Sequence, residues 1–149
     1  MYHLTIAIAT GLYSGYLPKA PGTWGSLFGI FLYLGLVFLP IPGYLGVLTA
    51  LFVVGVAAAG GMEKIVDAAD PGVVVIDEIV GQLITLAACP LNPLALAAGF
   101  GLFRFFDILK PFPVGWVDHH IHGGLGIMLD DVIAGIYGFL LLRLFLAIS

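Results

Sequence analysis

Residues 104–131, RFFDILKPFPVGWVDHHIHGGLGIMLDD, join two apolar segments and carry ionisable groups far above the background of the chain. Only 9% of the sequence is charged, yet these twenty-eight positions hold six charged residues and three of the four histidines. Upstream, 94–109 is apolar except for Arg104 and Asp107, and Lys110-Pro111-Phe112-Pro113 ends it. Downstream, 126–148 is interrupted only by Asp130, Asp131 and Arg143. Long apolar runs with charge gathered near one end read as helices embedded in a membrane.

Composition selects the same solvent. With 61% hydrophobic residues in 149 and a mean hydropathy of +1.14, the chain has more apolar surface than one soluble core can hide. The expectation is one membrane-embedded domain over 1–149. The start, MYHLTIAIATG, lacks the basic opening and cleavage pattern of a secretory signal and is read as part of the mature fold. The single cysteine, Cys89, excludes an intrachain disulfide and any multi-cysteine metal site, and is read as a small core residue.

Working outward, apolar segments fall at 23–39, 44–60, 73–89, 94–109 and 126–148, with 1–15 as an interfacial or partly inserted helix. Pro40 and Pro42, Gly60 and Gly61, and Pro90 and Pro93 mark ends, while Thr23 is a candidate cap. The predicted fold is therefore all-α, an integral membrane bundle of about five embedded helices, some short or interrupted. If each segment crosses once, the loops at 14–22, 61–72 and 110–125 share one side. At 1.5 Å rise per residue, Asp77 and Glu78, Arg104 and Asp107, and Asp130 and Asp131 then lie roughly 3–10 Å inside that side. Of the fourteen charged residues only Arg143 falls opposite, and the clustering of Lys19, Lys64, Arg104 and Lys110 assigns the crowded face to the cytoplasm.

Carboxylates at membrane depth are costly and should face the bundle interior. Five of them, Asp77, Glu78, Asp107, Asp130 and Asp131, repel unless protons or a cation intervene, and an oxygen-rich site suits Mg²⁺. The plainer alternative pairs them with Arg104, Lys110 or backbone, and Arg104 with Asp107 is spaced as an intrahelical ion pair. Lys19, Thr23, Arg104 and Lys110 are the candidate phosphate contacts, the first two at a helix start that offers free amides. His122, before Gly123-Gly124, is the candidate proton donor, whereas His119 and His120 read as solvated. A transporter or channel is the rival reading, although a path would spread ionisable groups through the full depth.

Four blocks, PKAPGTWGSL at 18–27, DPGVVVIDEIVGQLIT at 70–85, FRFFDILKPFPVGWVD at 103–118 and HGGLGIMLDDVIAG at 122–135, resemble the phosphatidylglycerophosphatase A family. The resemblance implies a Mg²⁺-dependent phosphomonoesterase that converts phosphatidylglycerophosphate to phosphatidylglycerol. It would be a multi-pass protein of the bacterial inner membrane with its active site facing the cytoplasm. Carried over, Asp77, Glu78, Asp107, Asp130 and Asp131 become metal or catalytic carboxylates, and Lys19, Thr23, Arg104 and Lys110 phosphate contacts. The implied partner is a membrane phospholipid, with no nucleic acid; self-association into a homo-oligomer stays open, as does direct water attack against an aspartyl-phosphate intermediate.

Overall fold

The computed structural model describes residues 2–148, and among them every regular element is helical. In order these are α1 (Tyr2–Ala9), a 3-10 turn (Ser14–Tyr16), α2 (Pro21–Leu36), α3 (Ile41–Val66), α4 (Ile76–Leu86), α5 (Pro93–Leu109), α6 (Val114–His120) and α7 (Gly123–Ile148). Two of them, α3 and α7, are long and apolar enough to cross a membrane. At 26 residues each, they reach ~39 Å.

Helix α4 is the hub, packed against α2, α3, α5 and α7. Of its 11 residues only Asp77, Glu78 and Ile84 escape full burial. Its approach to α7 is backbone on backbone: a β-carbon at Gly135 would lie 2.5 Å from the Gly81 carbonyl oxygen, and one at Gly81 would lie 2.7 Å from the Asp131 carbonyl oxygen. This contact fixes the register that sets Asp131 beside Asp77, one turn before Gly81. The small residues Gly25 and Gly29 of α2, and Ala134 and Gly138 of α7, are buried.

The structure corrects three boundaries. The segment read as 73–89 is helical only from Ile76 to Leu86, ~16 Å, because the backbone at 73–75 turns to meet the N-terminal region. There the Val75 N–H donates to the Ala9 carbonyl at 2.9 Å, and the turn around Gly15 lies against the Val73 carbonyl. Second, α3 does not stop at Gly60-Gly61; it continues to Val66, since Gly60 packs on Gly124 and Met62 is buried. Third, the connector 110–125 contains α6, and α7 begins at Gly123 rather than Gly126.

A helix as short as α4 leaves carbonyls at its C-terminal end that need donors from elsewhere. The Ala87 N–H turns to Ile84, so Leu83 accepts instead from the Tyr44 hydroxyl at 2.6 Å. Arg143 donates to the Ala87 carbonyl, and the Tyr33 hydroxyl to Cys89 at 2.5 Å. Arg143, isolated from the other charges in the sequence, thus serves to close α4. Tyr44→Phe should leave a buried carbonyl unpaired and cost about 1–3 kcal/mol, read as a lower melting temperature in detergent with catalysis intact.

Candidate active site

The N-terminal end of α4 opens into a cavity of about 230 Å³. Eight of the nine acidic residues of the chain line it: Glu63, Asp70, Asp77, Glu78, Asp107, Asp118, Asp130 and Asp131. Among the described residues Lys110 is the one lysine or arginine in the lining. Such an excess of negative charge, partly out of water, demands cations or protons.

Three of the carboxylates form an inner group. Asp77 and Glu78 sit in the first turn of α4, where the helix dipole favours anions, and Asp131 reaches them from α7. One oxygen from each falls within a set whose members all lie within 4.8 Å of one another. Asp77 Oδ1, Glu78 Oε2 and Asp131 Oδ2 are buried and accept no hydrogen bond from the described residues. Buried carboxylate oxygens that converge without a donor match the preference of a hard divalent cation for oxygen ligands.

The other two predicted carboxylates are already paired. Asp107 accepts from Arg104, so the i,i+3 ion pair anticipated as the plain alternative does form. Asp130 Oδ2 accepts from Lys110 Nζ at 2.7 Å, and its Oδ1 from the Asp131 N–H at 3.0 Å. Lys110 also donates to Asp118 Oδ1 at 2.7 Å, which links α6 to α7 across the cavity mouth. The clamp exists because α5 ends at Lys110 in a left-handed turn, φ 45°, and α6 folds straight back, with Gly115 giving room to the Lys110 carbonyl. Burial works against the Lys110 charge, but hydrogen bonds to Asp118 and Asp130 outweigh it and hold the ammonium above its ordinary pKa.

Other predicted contacts fall outside the lining. Lys19 is exposed, with φ 62°, and Thr23 is half-buried inside the first turn of α2 rather than at its cap, because Pro21 starts the helix two residues earlier. Neither reaches the cavity. Arg104 is also absent from the lining and lies between Asp107, Glu78 and the start of α2. His122 is exposed and lines the mouth, while His119 and His120 are solvated, the latter stacked on Trp116. Glu63, Asp70 and Asp118 were missed as lining residues. The apolar repeat Met62, Ile65 and Val66 was the available signal that α3 continues past its glycines and carries Glu63 inward.

Comparison with known proteins identifies the family. The family model for phosphatidylglycerophosphatase A matches residues 7–146. The chain belongs to the phosphatidylglycerophosphatase A family. A protein of that name from Escherichia coli is 42% identical over 130 residues, 87% of this chain and 76% of its own. Another from Haemophilus influenzae is 45% identical over 134 residues, 87% of this chain and 81% of its own. A Bacteroides thetaiotaomicron protein provisionally named phosphatidylinositol-3-phosphatase is 42% identical over 147 residues, 93% and 91% of the two chains. No solved structure matches the chain. Within the chain the second, third and fourth sequence blocks meet at the cavity, and the first, at 18–27, packs behind it against Glu78 and Arg104.

Proposed function

We propose that the protein hydrolyses phosphatidylglycerophosphate to phosphatidylglycerol and phosphate, with Mg²⁺ held by Asp77, Glu78 and Asp131. The observation that carries the site assignment is the convergence of those three carboxylates, with unpartnered buried oxygens, in one cavity of a chain that matches the family model over residues 7–146. A bound Mg²⁺ supplies neutralisation of phosphate charge and a more acidic water. The residues of the chain do the rest. Hydrolysis joins a water oxygen to phosphorus and breaks the ester P–O bond, so one proton must leave the water and one must reach the glycerol oxygen. A cavity carboxylate takes the first, and His122 at the mouth gives the second. Two of the three Lys110 donors are engaged by Asp118 and Asp130, which leaves the third to meet a phosphate oxygen.

The same reading places the protein in the bacterial inner membrane as a multi-pass bundle whose cavity faces the cytoplasm, with α1 at the interface. It is supported by the apolar lengths of α3 and α7 and by the gathering of charge at one end of the bundle. A lipid phosphate would enter at head-group depth with its tails between helices. Carboxylates gathered at one end also disfavour an ion path.

The test is phosphate release by protein in mixed micelles. Phosphatidylglycerophosphate should be turned over with Mg²⁺ and not after EDTA, with restoration on adding Mg²⁺ back. Phosphatidylinositol 3-phosphate, offered in parallel because of the Bacteroides relative, should be the poorer substrate; a preference for it would overturn the head-group assignment, and EDTA-resistant turnover the metal.

A further inference from the structure

Gly22 lies in the first turn of α2, and a β-carbon there would come within 2.4 Å of Glu78 Oε1 and 2.9 Å of Arg104 Nη1. Both neighbours are the tips of long side chains, so a methyl group at this position displaces functional groups rather than helices. Gly25, on the same face, is different in kind. Its β-carbon would meet Val75 Cβ at 2.7 Å and the Val75 carbonyl oxygen at 3.1 Å, which pushes α2 away from α4. The two glycines therefore separate site geometry from packing.

Glu78 has one oxygen, Oε1, backed by the start of α2, and the other, Oε2, buried without a donor among the described residues. Arg104 occupies the same backing position and holds Asp107 at the same time. We propose that Gly22 is a positioning residue: by carrying no side chain it lets the α2 backbone and Arg104 close behind Glu78 and hold its carboxylate toward Asp77 and Asp131. The sequence motif around Pro21-Gly22 thus acts on a cation ligand from behind, outside the cavity lining. This inference rests on the reading of Asp77, Glu78 and Asp131 as divalent-cation ligands. Side groups that orient a ligand from behind typically change metal affinity by about 10–100-fold.

The experiment titrates Mn²⁺ into full-length protein in detergent and reads the bound ion by electron paramagnetic resonance, with thermal melting alongside. It compares wild type, Gly22→Ala, Glu78→Asp, the double variant and Asp131→Asn. Gly22→Ala should bind Mn²⁺ about 10–100-fold more weakly while melting like wild type. Glu78→Asp, one methylene shorter, makes room for the methyl, so the double variant should lose less than the product of the two single losses. Wild-type affinity in Gly22→Ala, or strictly multiplicative losses, overturns the proposal. So does an unfolded Gly22→Ala, which would make this position a packing glycine like Gly25. Asp131→Asn distinguishes the two levels: undiminished Mn²⁺ binding there sinks the ligand assignment itself, whereas weakened binding there with unaltered Gly22→Ala sinks only the role of Gly22.

Discussion

Asp131→Asn should abolish turnover, by ~10²–10³-fold or more, while leaving the cation-free protein at least as stable as wild type. The two halves of this expectation have one cause. Asp131 is 3% exposed and shares its space with Asp77 and Glu78, so in the absence of a cation it adds a like charge to a poorly solvated group. Removing that charge relieves repulsion, whereas on the proposed reading it also removes an oxygen ligand and weakens the hold on Mg²⁺. Melting curves with and without Mg²⁺ should therefore diverge: wild type gains stability on adding the ion, by mass action on a folded-state site, and the variant gains less. Retained turnover in both Asp131→Asn and Asp77→Asn would remove the inner carboxylates from the reaction.

Lys110→Ala should carry the next largest effect, on activity and stability together. The ammonium bonds Asp118 and Asp130, and the Asp130 side chain is only 8% exposed. Without it, a buried carboxylate loses its partner and α6 loses its tie to α7. Breaking a buried pair costs about 3–5 kcal/mol, and partial exposure of Lys110 and Asp118 brings the figure to about 2–3 kcal/mol here. Activity should fall ~10²-fold through loss of a phosphate donor and a loosened mouth. Lys110→Met should do the same, and Lys110→Arg should recover stability better than activity. The raised pKa sets the pH window: the contribution of the clamp is complete below the unfolded lysine pKa of about 10.4 and fades only as pH rises further, through the folded value. Melting temperature should therefore show no loss from this clamp up to about pH 10. A Lys110→Ala protein with wild-type melting and turnover would refute the clamp.

Much of the site was legible in one dimension. Counting apolar segments placed Asp77, Glu78, Asp107, Asp130 and Asp131 at one depth, and all five do line one cavity. Asp77 and Glu78 reach that cavity although α4 is only 11 residues long, because their place at its charged end depends on where the helix begins, and much less on where it stops. Of the four candidate phosphate contacts, Lys110 lines the cavity and Lys19, Thr23 and Arg104 do not. Lys19 and Thr23 belong to a helix start with free amides, yet that start is turned toward the back of Glu78 and away from the cavity. Glu63 was hidden by two glycines that weaken a helix on their own but here serve close packing of α3, Gly60 on Gly124 of α7 and Gly61 on Thr5 of α1.

By itself, the sequence determined that the chain is helical and apolar, that its carboxylates gather at one end, and that it carries the phosphatidylglycerophosphatase A blocks, since hydropathy, helical rise and motif order are properties of the chain read along its length. Only the tertiary structure decided which carboxylates stay unpartnered and which are paired. Asp107 and Asp130 find cations, whereas Asp77, Glu78 and Asp131 find one another. That division follows from how closely helix backbones approach at Gly81 and Gly135, from the room that Gly22 leaves for Glu78 and Arg104, and from the reversal of the chain at Lys110. Contacts between distant segments select a partner by a few ångströms, and no local pattern records that distance.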